Sequence, residues 1–238
     1  MSIVPDLAEQ VAVVIGGASG IGAGTARGFA ELGATVIVAD ARPGPGHLHA
    51  DVTEPASLET LAATIRTGPG RVDHLVLCAG TVRVGRLQDS TETDWDAVFD
   101  VNAKGAWRTV RALLPLVPDG GSIVTVSSGA GLRPIPELPL YAASKAALIG
   151  LSKALAVDLA GRGIRVNCVC PGLVDTPMAR QAQEARGTEA AAEVSGYAQY
   201  LLKRAGTAEE LAAAIVSLAV NPYITGSTLA VDGGRTLH

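Results

Sequence analysis

The chain has 238 residues, of which 48% are hydrophobic, 18% are charged and only 3% are aromatic. This composition excludes a disordered chain and predicts a core built from Ala, Val, Leu and Ile. With a net charge of −4 and no basic block, the chain lacks the positive surface that nucleic acid requires, so we expect no such partner.

Two patterns alternate along the chain: short β-branched runs and longer segments with helical spacing. Hydrophobic residues are continuous within the runs, which is typical of parallel strands covered by helices on both faces. The order predicts a doubly wound parallel α/β sheet in three layers. Predicted strands cover 11–16, 34–40, 72–80, 121–128, 164–172 and 227–234, with another ending at 50–52; predicted helices cover 21–32, 55–66, 93–117, 141–161 and 207–219.

No linker or change of composition divides the chain, so we expect a single domain over residues 1–238. The segment 177–205 is less regular, and we interpret it as a lid of short helices over a substrate site. The chain starts without the basic and apolar parts of a signal peptide, and its apolar runs fall short of the roughly 18 residues that span a bilayer. We therefore expect a cytoplasmic protein that does not bind membranes.

The three cysteines, Cys78, Cys168 and Cys170, form no CxxC pair. Cys168 and Cys170 stand two apart in an apolar run, as small buried residues of a strand do. We interpret all three as core residues and expect no metal site.

A glycine-rich turn, GGASGIG at 16–22, follows the first predicted strand and opens the first helix. Gly16, Gly20 and Gly22 lack a Cβ, which permits a tight turn and lets a pyrophosphate approach the backbone N–H groups. This placement predicts a dinucleotide site.

Asp40 ends the second predicted strand, where a carboxylate accepts hydrogen bonds from the adenosine ribose and repels a 2′-phosphate. We therefore expect NAD as the cofactor, although Asp40 could instead only start a turn, and the nearby cation of Arg42 opposes the discrimination against NADP. Asp51 and Val52 follow the next strand and are expected beside the adenine.

Tyr141 and Lys145 stand four positions apart in YAASK, and the chain has only 4 tyrosines. Positions with this spacing share a helix face, with Cβ atoms about 5–6 Å apart. The pair is either an exposed contact or a device that lowers the pKa of the phenol.

Together these motifs resemble the short-chain dehydrogenase/reductase family, in its shorter branch. The resemblance covers nearly the whole chain, from VAVVIGGASGIG to ITGSTLAVDGG, and includes CAG at 78–80, Asn102, Ser128, PG at 171–172 and Thr176. The chain departs from the family at Ile15, where a threonine is usual, and at Leu77 and Cys78, where two asparagines are usual.

The resemblance implies a Rossmann-type fold, NAD as cofactor and four catalytic residues. Tyr141 would move the proton of the substrate oxygen while a hydride passes between substrate and nicotinamide, and Lys145 would lower the phenol pKa and bind the ribose. Ser128 would hold the substrate oxygen, and Asn102 would keep a helix open for a proton-relaying water. The implied cofactor contacts are Gly16, Ser19, Gly20, Ile21, Gly22, Asp40, Asp51, Val52, Ala79, Gly80, Asn102, Tyr141, Lys145, Pro171, Gly172, Val174 and Thr176.

The implied substrate is a largely apolar secondary alcohol or ketone, cyclic ones included. Its expected contacts are Arg83, Ser128, Pro134, Tyr141, Met178 and Tyr197. Two other functions stay open: a non-catalytic NAD-binding sensor or interaction protein, and a nucleotide-sugar epimerase or dehydratase. The resemblance also implies a homo-oligomer, a tetramer or a dimer, that pairs helices near 103–117 and 141–161.

Overall fold

Seven parallel strands form one sheet at the centre of the computed structural model, which describes residues 6–186 and 199–237. The strand order across the sheet is β3-β2-β1-β4-β5-β6-β7, so the order reverses between β1 and β4. The strands are β1 (Val11–Ile15), β2 (Thr35–Asp40), β3 (Leu48–His49), β4 (His74–Leu77), β5 (Ser122–Val126), β6 (Arg165–Pro171) and β7 (Thr228–Val231).

Helices cover both faces of this sheet. They are α1 (Gly20–Glu31), α2 (Pro55–Thr67), α3 (Glu92–Phe99), α4 (Gly105–Leu113), α5 (Pro139–Asp158), α6 (Pro177–Ala185) and α7 (Ala208–Val220). Residues of α2, α4 and α5 share one hydrophobic core with the sheet, and residues of α1 and α7 share the other. The prediction of a doubly wound α/β fold in three layers is thus confirmed.

Strand β1 illustrates why continuous hydrophobic runs form such a sheet. Val11, Val13 and Ile15 face the core that contains α2, whereas Ala12 and Val14 face the core that contains α1. Successive side chains of a strand point to opposite faces, so a strand buried on both sides needs an apolar residue at every position.

The segment predicted as one helix over 93–117 is interrupted. A π-helical stretch, Asp100–Lys104, separates α3 from α4, and a 3-10 turn, Leu114–Leu116, follows α4. Strand β3 is also shorter than expected and ends before residues 50–52. A π-helical turn contains one residue more than an α-helical turn. Helical periodicity cannot detect this residue, because the hydrophobic pattern continues on both sides of it.

Helix α5 is the one described helix that is long and apolar enough to cross a membrane by length and composition. Two of its buried residues, Leu148 and Ala156, belong to the core on the sheet, and core helices pass the same test. Cys168 and Cys170 are fully buried in β6 and Cys78 is half-buried; all three are free thiols.

The prediction of a single domain with a lid at 177–205 stays a prediction, since part of that segment lies outside the described residues.

Candidate active site

A cavity of about 710 Å³ runs along the carboxyl ends of the strands. It extends from the glycine turn after β1 to Ser128 and Tyr141, and it crosses the point between β1 and β4 where the strand order reverses. Ligands of doubly wound sheets bind at this place. Every residue predicted to contact the cofactor lines the cavity, with the exception of Asn102.

The glycine turn packs too closely for side chains. Gly16 has φ +75°, and a Cβ on it would lie 2.5 Å from the backbone nitrogen of Ala79; a Cβ on Gly22 would collide with the Gly16 carbonyl. Helix α1 begins at Gly20, beside the cavity. Its first N–H groups and its dipole suit a phosphate group, so the residues present fit a dinucleotide.

Asp40 is buried at the end of β2, and its carboxylate is already engaged. Oδ2 accepts from the Ala18 N–H at 3.1 Å, and Oδ1 accepts from the Arg42 N–H at 3.0 Å and its Nε at 3.3 Å. Burial raises the pKa of this carboxyl, but the hydrogen bonds from Arg42 and Ala18 outweigh burial and hold it below its usual value. Asp40 therefore stays ionised at the cavity wall.

Arg42 also lines the cavity, and its Nη2 donates to the Ser19 hydroxyl at 2.7 Å. Asp51 lies at the same end, where its carboxylate accepts from the N–H and the hydroxyl of Thr53. Val52 packs against Gly105, where a Cβ would lie 2.6 Å from a Val52 methyl carbon.

The two serines after β5 have different surroundings. Ser127 is buried, and its hydroxyl donates to the Lys145 carbonyl at 2.7 Å. Ser128 is only partly buried; its hydroxyl accepts from the Ala130 N–H at 3.0 Å, and it is close enough to the Tyr141 side chain to act on the pKa of the phenol. Ser128 is therefore the serine whose hydroxyl contacts the phenol.

Tyr141 and Lys145 lie on α5, with the Lys145 Nζ 5.8 Å from the centre of the tyrosine ring. Lys145 is 3% exposed, its Nζ donates to the Val126 carbonyl at 3.0 Å, and burial lowers its pKa to about 8. Burial raises the pKa of Tyr141, although the hydrogen bond with Ser128 acts in the opposite direction. The groups of the chain alone therefore do not produce the lowered phenol pKa expected from the spacing, because burial of the phenol outweighs them.

Asn102 lies behind the cavity wall, within the π-helical stretch, and is 1% exposed. Its Nδ2 donates to the Thr81 carbonyl and to the Ser144 hydroxyl, both at 2.9 Å, and its Oδ1 accepts from the Thr81 N–H at 2.8 Å. Ser144 in turn donates to the Tyr141 carbonyl at 2.8 Å. Asn102 thus connects the open helix to α5 and to the segment after β4.

The expected substrate contacts are only partly brought together. Met178 lies on the cavity wall with Ser128 and Tyr141. Arg83 does not, because its exposed side chain pairs with Asp94, Nε to Oδ1, at 2.8 Å. Pro134 is exposed and does not line the cavity, and Tyr197 lies outside the described residues.

Other cavity residues were not anticipated from the sequence. Ile135 and Leu138 take the place expected for Pro134, and Arg186 and Arg235 line the same region. The prolines around Ile135 and Leu138 are the signal that could have indicated this loop. Arg186 and Arg235 belong to no motif, and only the fold brings them here.

Comparison with known proteins gives a consistent result. The family model described as enoyl-(acyl carrier protein) reductase matches residues 16–236. The chain is 37% identical to the oxidoreductase UcpA of Salmonella typhimurium, with 97% of this chain and 96% of that protein covered. It is also 37% identical to the 3-oxoacyl-(acyl-carrier-protein) reductase FabG of Thermotoga maritima, with 97% and 99% covered. The structure of Thermoplasma acidophilum aldohexose dehydrogenase in its ligand-free form superposes with a TM-score of 0.88 at 30% identity, over 96% of this chain and 94% of that chain.

Proposed function

Because the chain belongs to the short-chain dehydrogenase/reductase family and is an oxidoreductase, we propose that it transfers a hydride between NAD(H) and a secondary alcohol or ketone. One observation carries this proposal: the phenol of Tyr141, in contact with Ser128, stands at one end of a cavity whose other end is a glycine turn. A proton-transferring group and a phosphate-binding turn in one cleft are what carbonyl reduction by a dinucleotide requires.

In this proposal the cofactor is held by three parts of the chain. The N–H groups at the start of α1 bind the pyrophosphate, Asp40 binds the adenosine ribose and Lys145 binds the nicotinamide ribose. When bound, the nicotinamide supplies or accepts the hydride. Asp51 and Val52 complete the adenine end, and Pro171, Gly172, Val174 and Thr176 form the wall beside α6.

The protein groups perform the proton transfer. Ser128 fixes the substrate oxygen, and the Tyr141 hydroxyl donates its proton to that oxygen during reduction or accepts one during oxidation. Since burial raises the pKa of Tyr141, its neutral, proton-donating form predominates at neutral pH. We therefore expect ketone reduction to be favoured near pH 7 and alcohol oxidation to accelerate as the pH rises.

The names of the relatives indicate different substrates, so the substrate has to be argued from this cavity. Ile135, Leu138 and Met178 line it near Ser128 and offer an apolar surface for a carbon skeleton. This supports a small carbonyl compound with an apolar chain or ring.

The test is Tyr141→Phe, which keeps the ring and removes the ionisable oxygen. We expect NAD binding to stay close to that of the parent in a fluorescence titration, while turnover in an NADH-linked rate assay falls by at least about 10²-fold. Ser127→Ala serves as a control, since that hydroxyl donates to a carbonyl inside the core. A Tyr141→Phe variant with near-parental turnover would show that the phenol does not transfer the proton. A parent protein that binds NAD but turns over no alcohol or ketone would instead favour the sensor function.

A further inference from the structure

The acidic residues that line the cavity all lie at one of its ends. Among the described residues, six charged side chains line it: Asp40, Arg42, Asp51, Lys145, Arg186 and Arg235. Both acidic residues lie at the end with the glycine turn, where they suit an adenosine. The charged residues of the catalytic end are all cations, and no described carboxylate lines that end.

Arg235 is a buried cation close to Ser128. It is 3% exposed, its Nη1 donates to the Gly129 carbonyl at 3.2 Å and its Nη2 donates to the Arg133 carbonyl at 3.0 Å. The nearby Asp232 carboxylate is occupied by N–H groups of Gly234 and Thr236 and by the Thr236 hydroxyl. Carbonyl oxygens satisfy two donors of Arg235, and the opposite charge near this buried cation is that of the Asp232 carboxylate, which other groups already hydrogen-bond.

Arg186 follows α6 and reaches the same region. Its Nη2 donates to the Pro136 carbonyl at 3.3 Å, whereas its Nε is buried without a hydrogen-bond acceptor. The closest described carboxylate oxygen, Oε2 of Glu137, lies 3.9 Å from that Nε, too far for a hydrogen bond. A buried N–H without an acceptor is rare in folded proteins and indicates a missing partner.

A purely structural role accounts for only part of these observations. Both arginines hold carbonyls of the loop between Ser128 and Tyr141, so each helps to fix that loop. Holding the loop requires only hydrogen-bond donors, however, and neutral side chains provide such donors without burying a charge. Both arginines line the cavity, and the Arg186 Nε has no hydrogen-bond acceptor.

We infer that the substrate carries a carboxylate, which Arg235 and Arg186 bind, so that the enzyme acts on small oxo acids and their hydroxy acids. A guanidinium group presents parallel N–H donors that match the two oxygens of a carboxylate. Ile135 and Leu138 line the same cavity and offer an apolar surface for the chain of a small anion. This inference rests on the proposed carbonyl reduction and names its substrate class.

The chemistry balances with the carboxylate unchanged. During reduction, the carbonyl carbon gains a hydride from NADH, which is oxidised to NAD, and the carbonyl oxygen gains the proton of Tyr141. The products are the hydroxy acid and a phenolate, which is protonated again from solvent. The arginines take no part in bond making; they place the carbonyl against Ser128 and Tyr141.

The experiment compares acids with their uncharged methyl esters. Initial rates of NADH oxidation are measured with acetoacetate, levulinate and the methyl ester of each. We expect kcat/KM for at least one acid to exceed that of its ester by about tenfold or more. Arg186→Gln and Arg235→Gln should each reduce this acid-to-ester ratio by about tenfold, and Arg235→Lys should restore part of it.

The matched control is Arg180→Gln, on helix α6, which ends just before Arg186. Arg180 pairs with Asp175 at 2.9 Å on the surface and does not line the cavity, so its loss should leave the ratio unchanged. Should Arg235→Gln fail to fold, Arg186→Gln alone decides, since its side chain is partly exposed. Equal losses for acid and ester in the Arg186 variant would mean that it only clamps the loop, and the inference would be wrong.

A second readout does not depend on turnover. Levulinate and methyl levulinate are titrated calorimetrically into the protein, with and without NAD, for the parent and for Arg186→Gln. Arg186-dependent binding of the acid without turnover of either compound would support the carboxylate site and reject the proposed reaction. Turnover of both esters without a preference for the acids would support the reaction and overturn the carboxylate site, and absence of both binding and turnover would also overturn it.

Discussion

At the scale of single residues, the adenosine end of the cavity combines two opposing charges. Asp40 presents a carboxylate that repels a 2′-phosphate, while Arg42, whose side chain is 61% exposed, presents a cation that attracts one. Because a hydrogen bond holds the two groups together, their opposite charges partly cancel, and an incoming phosphate meets a smaller net charge. Cofactor preference at this site is therefore a balance between two neighbouring side chains.

We expect the parent protein to bind NAD at least about tenfold more tightly than NADP, equivalent to about 1.4 kcal/mol. Asp40→Ala should reduce this difference in affinity between NAD and NADP because the repelling carboxylate is lost. Arg42→Ala should increase the difference because the attracting cation is lost. Dissociation constants from calorimetry for both cofactors test this. Equal affinities in the parent, or a gap that Arg42→Ala narrows, would contradict it.

His74 is a residue whose protonation affects the whole fold. Its ring nitrogens hydrogen-bond Oε1 of Gln10 at 2.6 Å and the Ser122 hydroxyl at 2.9 Å, and the ring stacks on Phe29. Burial lowers its pKa from 6.5 to about 4. Between these two values the unfolded chain binds a proton that the folded chain does not, so acid favours unfolding.

The free energy of unfolding should therefore fall as the pH falls from 6.5 to 4, by up to roughly 3 kcal/mol from this residue alone. Urea unfolding at a series of pH values measures the slope for the parent, for His74→Gln and for the control His49→Gln, an exposed histidine of β3. The slope should be smaller in His74→Gln and unchanged in His49→Gln. An unchanged slope in His74→Gln would assign acid sensitivity to other groups.

At the scale of elements, the interruption between α3 and α4 is the feature that most affects the site. The π-helical stretch turns Asn102 inward, and its amide satisfies both backbone groups of Thr81 next to Gly80 on the cavity wall. The same amide reaches Ser144 on α5, the helix that carries Tyr141 and Lys145. One side chain thus fixes two walls of the cavity relative to each other.

Asn102→Ala should remove the partners of the N–H and the carbonyl of Thr81, which lies half-buried on the cavity wall. We expect the free energy of unfolding to fall by about 2 kcal/mol or more, and turnover to fall with it. The control is Asn221→Ala, whose exposed amide accepts from only the Tyr223 N–H. Chemical denaturation that gives the same small loss for both variants would show that the connection contributes little.

A structural feature can be predicted from the sequence to the extent that its signal is local in the chain. The glycine turn, Asp40 and the Tyr141–Lys145 pair were predictable because strand ends and a four-residue helical spacing are local patterns. The π-helical stretch was not, since it depends on hydrogen bonds from Asn102 to residues 21 and 42 positions away. Ile135 rather than Pro134 lines the cavity, and the sequence does not distinguish the two because a loop without periodicity does not show which side chain faces inward. Spacing also contains no information on burial, which raises the pKa of Tyr141 in the chain alone; the lowered pKa with the oxidised cofactor bound stays a prediction.

At the scale of the whole molecule, part of the exposed apolar surface lies on α3, α4 and α5. Trp95 and Trp107 are 46% and 43% exposed, and the outward face of α5 carries Ala147, Ala154 and Val157. Both tryptophans of the chain are thus on the surface. We propose that α4 and α5 pair with those of another copy in a homo-oligomer, as apolar surfaces of this kind do in symmetric assemblies.

Light scattering at micromolar concentration should give the mass of two or four chains. Ala147→Glu introduces a charge into the proposed contact and should lower that mass, with a red shift of tryptophan emission as Trp107 meets water. Ala63→Glu, at an exposed position of α2, is the control and should keep the parental mass. A monomeric parent protein would reject the assembly.

The hydrogen bonds from Arg235 to the loop after Ser128 also affect how the chain folds during its synthesis. The guanidinium group that fixes the Gly129 carbonyl comes from a residue 106 positions later in the chain. A chain still on the ribosome can have Ser128, Tyr141 and Lys145 in place long before that residue is synthesised, because the N-terminal part of a domain emerges first. The loop between Ser128 and Tyr141 is therefore anchored only after the segment that carries Arg235 has been synthesised, and until then the growing chain lacks these hydrogen bonds.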